Sequence, residues 1–194
     1  VINLLGHDFD RACNSLAQKV SEQYMPDLII GVLTGGGYIA RKVHDALPGQ
    51  LNRRYIEVKI QRMTTKKKDS GLVSFLLKYS PTFLLNKLRI LESIVLERYA
   101  RKHNPKREGN INLEQDIDTY LRESPKKILI VDDAIDSGAT IELIHKYLSV
   151  NYPLSEVKIA VITVTTLNPL IDADFYLYHN RILVRFPWSK DVKI

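Results

Sequence analysis

Residues 127–141, KILIVDDAIDSGATI, constrain this chain more than any other stretch. Residues 128–131 are aliphatic without interruption, and Asp132 and Asp133 follow them directly. A short strand with nothing polar in it is buried on both faces, which is the situation of a strand in a parallel sheet covered by helices. In open α/β sheets ligands bind beyond the carboxyl ends of the strands, so the two aspartates are expected at a ligand crevice. Asp136-Ser137-Gly138-Ala139-Thr140 then leads into a helical pattern running to about residue 148. Small residues there let the backbone turn tightly and point successive N–H groups outward at a helix N-terminus, a ready anion site. Carboxylates suit hydroxyls or a metal, and the turn suits a phosphate. A sugar phosphate carries both features.

A second strand–glycine–helix unit lies upstream. Residues 28–33 read as another buried strand, Thr34-Gly35-Gly36-Gly37 follows, and a helix is expected from Tyr38 to Leu47, stopped by Pro48-Gly49. Before it, Phe9, Ala12, Cys13, Leu16, Ala17, Val20 and Tyr24 recur at helical spacing, with Asp8 as the expected N-cap and Pro26 as the terminator. Residues 55–62 alternate as a half-buried strand, and residues 157–164 read as one more buried strand. Strands alternating with helices over 194 residues predict a single α/β domain, a mostly parallel sheet flanked by helices.

The segment from Asp132 to Thr140 resembles the phosphoribosyl pyrophosphate signature of the type I phosphoribosyltransferases, and is most similar to the hypoxanthine, guanine and xanthine branch. The resemblance implies a Rossmann-like fold with a helical hood, and transfer of phosphoribose to a purine or related nitrogenous base with release of pyrophosphate. Under it, Asp132 and Asp133 hold the ribose hydroxyls, directly or through waters of Mg²⁺. Ser137, Gly138, Ala139 and Thr140 bind the 5-phosphate, and Asp136 is the general base. Leu33-Thr34-Gly35-Gly36 is similar to the family's pyrophosphate loop, which implies a non-proline cis peptide between Leu33 and Thr34. The segment after residue 62, with Lys66, Lys67 and Lys68, corresponds to the family's mobile catalytic loop. Residues 173–188 look like its closing strand pair with the Phe186-Pro187-Trp188 ending. Two features depart from the family pattern. Thr165 and Thr166 stand where a base-binding lysine is usual, and Ile182 and Leu183 stand where an aromatic usually stacks on the base.

Charge leaves further readings open. The net charge is +6, yet residues 52–107 hold 15 Lys and Arg against 4 Asp and Glu. Such asymmetry suits a polyphosphate substrate or nucleic acid. A non-catalytic regulator binding phosphoribosyl pyrophosphate and nucleic acid is therefore a second reading, and transfer to an unrelated acceptor a third. Residues 72–124 form a basic insertion, with a stripe of Phe83, Leu84, Leu88, Leu91, Val95 and Tyr99 and an expected capping pair, Asn112 and Gln115, opening a second helix to about residue 121. It is read as a hood or as the element of a homodimer. A single cysteine, Cys13, excludes an internal disulfide and fits a reducing, cytoplasmic setting. No signal-peptide pattern and no membrane-length apolar run are visible.

Overall fold

The computed structural model describes residues 1–60, 111 and 113–189. In chain order the elements are β1 (Ile2–Asn3), α1 (His7–Ser21), β2 (Leu28–Val32), α2 (Gly35–Ala46), β3 (Arg54–Val58), α3 (Gln115–Glu123), β4 (Lys127–Ile135), α4 (Ala139–Asn151), β5 (Glu156–Val164), β6 (Phe175–Tyr178) and β7 (Val184–Arg185). A 3-10 turn at Gln50–Asn52 precedes β3. Five strands form one sheet in the order β3-β2-β4-β5-β6, and every neighbouring pair is parallel.

Because side chains alternate across a strand, the uninterrupted aliphatic strands feed two cores. Ile29, Leu129, Val131, Ala160 and Ile162 face α1 and α2, meeting Leu16, Val20, Ile39 and Val43. Leu28, Ile30, Ile128, Ile130, Ile159 and Val161 face α3 and α4, meeting Ile117, Leu121, Ile141, Ile144 and Leu148. All eleven of these strand residues except Ile159 retain no solvent exposure. Helices on both faces of a parallel sheet are the architecture the buried strands predicted. Cys13 is packed within the first core, where loss of hydration pushes its thiol up to about 12.

Several local expectations are corrected. Asp8 does not cap α1; Gly6 occupies the N-cap, and Asp8 sits in the first turn paired with Arg11. The three glycines are not a loop before a helix at Tyr38 but the first turn of α2 itself. Glu114, not Asn112, stands at the start of α3, with no side-chain cap; Asn112 lies outside the described residues. The two C-terminal strands do not pair with each other. β6 extends the main sheet beside β5, while β7 pairs with β1, Ile2 against Val184 and Asn3 against Arg185.

The expected insertion divides at the boundary of the described residues. The lysine loop and the helical stripe from Phe83 to Tyr99 fall outside them. Ile111, Ile117 and Leu121 are buried in the core on the face of the sheet that α3 and α4 cover. Among the described residues no helix is long and apolar enough to cross a membrane.

Candidate active site

The chain leaves β2 toward β3 on one side and returns to β4 on the other, so the order reverses between β2 and β4. Crevices form at such switch points, beyond the carboxyl ends of the strands. Here β2 stops at Val32, while β4 continues through Asp132 and Asp133 to Ile135, supported on its other side by β5 as far as the Ile135–Val164 pair. The aspartates are thus on an ordered strand that overhangs its neighbour, not on a loop. The space left by the shorter strand is a cleft of about 340 Å³.

Ten of the eleven residues expected in a site line this cleft: Leu33, Thr34 and Gly35 on one side, and Asp132, Asp133, Asp136, Ser137, Gly138, Ala139 and Thr140 on the other. The Leu33–Thr34 peptide is cis. Gly36 stands behind the wall. A Cβ added there would lie 2.7 Å from Asp132 Cα and from the Val131 carbonyl, so the glycine lets the first turn of α2 rest on β4. At Gly35 an added Cβ would come within 2.0 Å of Asp133 Oδ2 and 2.7 Å of Trp188 Nε1. Both positions are glycine because two elements of the site meet there at backbone distance.

The acidic side of the cleft is strongly desolvated. Burial first, and then the neighbouring Asp133 charge, raise the Asp132 carboxyl well above the usual carboxylate range. Asp133 is raised by burial as well, opposed by the indole N–H of Trp188, which donates to Asp133 Oδ2 at 3.1 Å. Asp132 Oδ1 accepts the Asp133 backbone N–H at 2.8 Å. Among the described residues neither carboxylate has a Lys or Arg within ion-pair distance. Nor do three metal-ligating side chains converge among them. Two hard oxygen donors without a counter-charge fit a cation held mostly by waters and by the ligand, as Mg²⁺ prefers, and do not fit a cation caged by protein.

On the opposite side of the cleft, Gly138 adopts the left-handed conformation, φ 81°, as the residue before α4. The loop is anchored from behind by Leu170, whose N–H donates to the Ser137 carbonyl at 3.0 Å. The first N–H groups of a helix have no intrahelical acceptor and carry the positive end of its dipole, and here they open into the cleft.

Two residues matter more than the sequence suggested. Trp188 lines the cleft although it is 55 positions from Asp133. Thr165, read only as the replacement for a lysine, donates its hydroxyl to Asp136 Oδ1 at 2.6 Å. Its neighbour Thr166 is buried, with no partner for its hydroxyl among the described residues. Spacing along the chain carries no signal for either contact.

A parallel sheet covered by helices, with an acidic pair, a helix N-terminus and a cis peptide around one cleft, defines an α/β protein with its cleft at the carboxyl ends of its strands. The chain belongs to the phosphoribosyl transferase domain family, which it matches over residues 4–178, and is a phosphoribosyltransferase. No curated protein sequence matches it. Among solved structures it is similar to a purine phosphoribosyltransferase from Pyrococcus horikoshii, at 21% identity and a TM-score of 0.62, covering 100% of this chain and 96% of that one. It is similar also to a xanthine-guanine-hypoxanthine phosphoribosyltransferase from Helicobacter pylori, at 15% identity and a TM-score of 0.55, covering 96% and 92%. A third, a hypothetical protein from Neisseria gonorrhoeae with bound ppGpp, has 16% identity and a TM-score of 0.57, covering 97% and 89%. At these identities the likeness is one of fold.

Proposed function

We propose that this protein transfers phosphoribose from phosphoribosyl pyrophosphate to a purine or related nitrogenous base. One observation carries the reading: a single cleft is walled by the Leu33–Thr34–Gly35 turn, by the acidic end of β4 and by the N-terminus of α4. Each wall suits one part of that substrate. The amides and hydroxyls of residues 137–140 take the 5-phosphate at the positive end of α4. Asp132 and Asp133 accept from the ribose hydroxyls, an arrangement in which charge-assisted hydrogen bonds repay their desolvation. The turn at Leu33, Thr34 and Gly35 meets the pyrophosphate through its backbone.

Displacement at the anomeric carbon leaves positive character on the ribose and negative charge on the departing pyrophosphate. Asp132 and Asp133 favour the first electrostatically. Asp136, held by Thr165 at one oxygen, takes the proton from the base nitrogen as it bonds to carbon, a contribution of about 10²–10⁴-fold. Positioning within the cleft supplies much of the remainder. Asp132 and Asp133 are the residues that would hold Mg²⁺, and its charge would offset that of the departing pyrophosphate.

The test is pyrophosphate release from labelled phosphoribosyl pyrophosphate with Mg²⁺ and a panel of purines and pyrimidines. Turnover with at least one base, and its loss on chelation of the divalent cation, is the expected result. Tight binding of phosphoribosyl pyrophosphate with no turnover on any base would exclude transfer to a nitrogenous base.

A further inference from the structure

The indole of Trp188 is held by three rings and by the turn that carries it. Residues 186–189 form a tight turn, with Ser189 N–H donating to the Phe186 carbonyl at 2.9 Å and Phe186 N–H donating to Ser189 Oγ at 3.0 Å. Pro187 occupies the second position of that turn, where its fixed φ is favourable. The rings of Phe186 and Tyr38 stack on Trp188 at 5.0 Å and 5.2 Å, and Phe9 meets it edge-on at 5.5 Å. Upstream, the segment is clasped by β1: Ile2 N–H donates to the Leu183 carbonyl at 2.8 Å and Leu4 N–H to that of Arg185 at 2.9 Å.

An indole can only donate a hydrogen bond, and it has one N–H. Here that N–H is spent on Asp133 Oδ2, the oxygen pressed against Gly35. The Ala134 backbone N–H and the neighbouring Asp132 carboxyl bear on the same carboxylate. We infer that Trp188 is a positioning residue for Asp133, fixing the orientation in which its carboxylate meets the ribose of phosphoribosyl pyrophosphate. The inference rests on the ribose role proposed for Asp133.

Trp188 is the only tryptophan of the chain, which gives it a private signal. The wild-type ¹H–¹⁵N spectrum should show one indole resonance, and phosphoribosyl pyrophosphate with Mg²⁺ should move it. Trp188→Phe keeps a ring in the stack and deletes the donor. Its dissociation constant for phosphoribosyl pyrophosphate should weaken about tenfold. A Trp188→Phe protein that unfolds leaves the wild-type resonance as the deciding readout: an indole signal indifferent to saturating ligand overturns the inference. So does Trp188→Phe binding equal to wild type. Wild-type protein that does not bind phosphoribosyl pyrophosphate at all overturns the parent reading, and this inference falls with it.

Discussion

The Thr165 hydroxyl donates to Asp136 Oδ1 at 2.6 Å, across the cleft floor from the end of β5 to the end of β4. Its other acceptor within reach, the Ile135 carbonyl at 3.2 Å, already receives the Thr165 backbone N–H at 2.9 Å. The hydroxyl proton is therefore free to serve the carboxylate. Thr165→Val, of nearly equal shape, should lower kcat about tenfold through loss of orientation. The KM for phosphoribosyl pyrophosphate should stay near wild type, and Thr165→Ser should recover most of the loss. Steady-state kinetics with one competent base decide it.

Asp136→Asn should lower turnover by about 10²–10⁴-fold. Binding of phosphoribosyl pyrophosphate, followed by calorimetry, should change little, because neither the turn at residues 137–140 nor Asp132 and Asp133 are altered. Turnover equal to wild type would remove Asp136 from the reaction.

The buried carboxylates cost stability in the absence of a cation. Asp132 is held above its ordinary range in the fold, so the native state binds protons more tightly than the unfolded chain, and stability falls as pH rises through that window. Asp132→Asn retains an oxygen to accept the Asp133 N–H and removes the charge. It should raise the thermal midpoint at pH 7 by the equivalent of about 1.4 kcal/mol for each pKa unit that burial imposes. The gain should vanish at pH values below the ordinary aspartate range. Binding of phosphoribosyl pyrophosphate should weaken in the same variant, a stability–function exchange measurable by paired thermal scans and titrations.

Within the glycine triplet the positions are not equivalent. Gly35→Ala drives a methyl onto Asp133 Oδ2, whereas at Gly37 the nearest atom is the flexible end of Leu33, 3.0 Å away. Gly35→Ala should weaken phosphoribosyl pyrophosphate binding at least about tenfold, the scale of a lost hydrogen bond to a charged group. Gly37→Ala should be near neutral, since Ala is favoured over Gly in a helix by up to about 1 kcal/mol. Two dissociation constants separate the alternatives.

Arg53 makes a stability prediction independent of the site. Its buried guanidinium donates to the carbonyls of Pro26 at 3.0 Å, Leu47 at 3.4 Å and Pro48 at 2.6 Å, tying the end of α2 to the entry of β2. Arg53→Ala strands those carbonyls and should cost about 2–4 kcal/mol. Arg53→Lys should recover little, because an ammonium cannot reproduce the planar fork. Urea midpoints at unchanged m-value would report both.

The central sheet was legible because burial on both faces leaves a plain record: residues 128–131 and 157–164 could be nothing else. The cleft was legible for a related reason, since strand–turn–helix units confine a ligand's contacts to a few consecutive residues. What escaped was of two kinds. Ends of elements depend on hydrogen bonds that sequence does not display, as when Gly35 proved to begin α2 and Gly6 replaced Asp8 as the N-cap. Contacts between distant segments depend on topology. Once β7 was taken for the partner of β6, nothing could bring Trp188 to Asp133; its actual pairing with β1 does so.

That pairing has a consequence for the order in which the molecule is made. β1 precedes the central strands in the chain yet finds its partner only in residues 184–185, and the indole that lines the cleft follows within three residues of that partner. A nascent chain on the ribosome can therefore assemble the central strands and helices long before it possesses a finished cleft. The cleft is complete only once residues 2–4 and 183–185 have closed on each other.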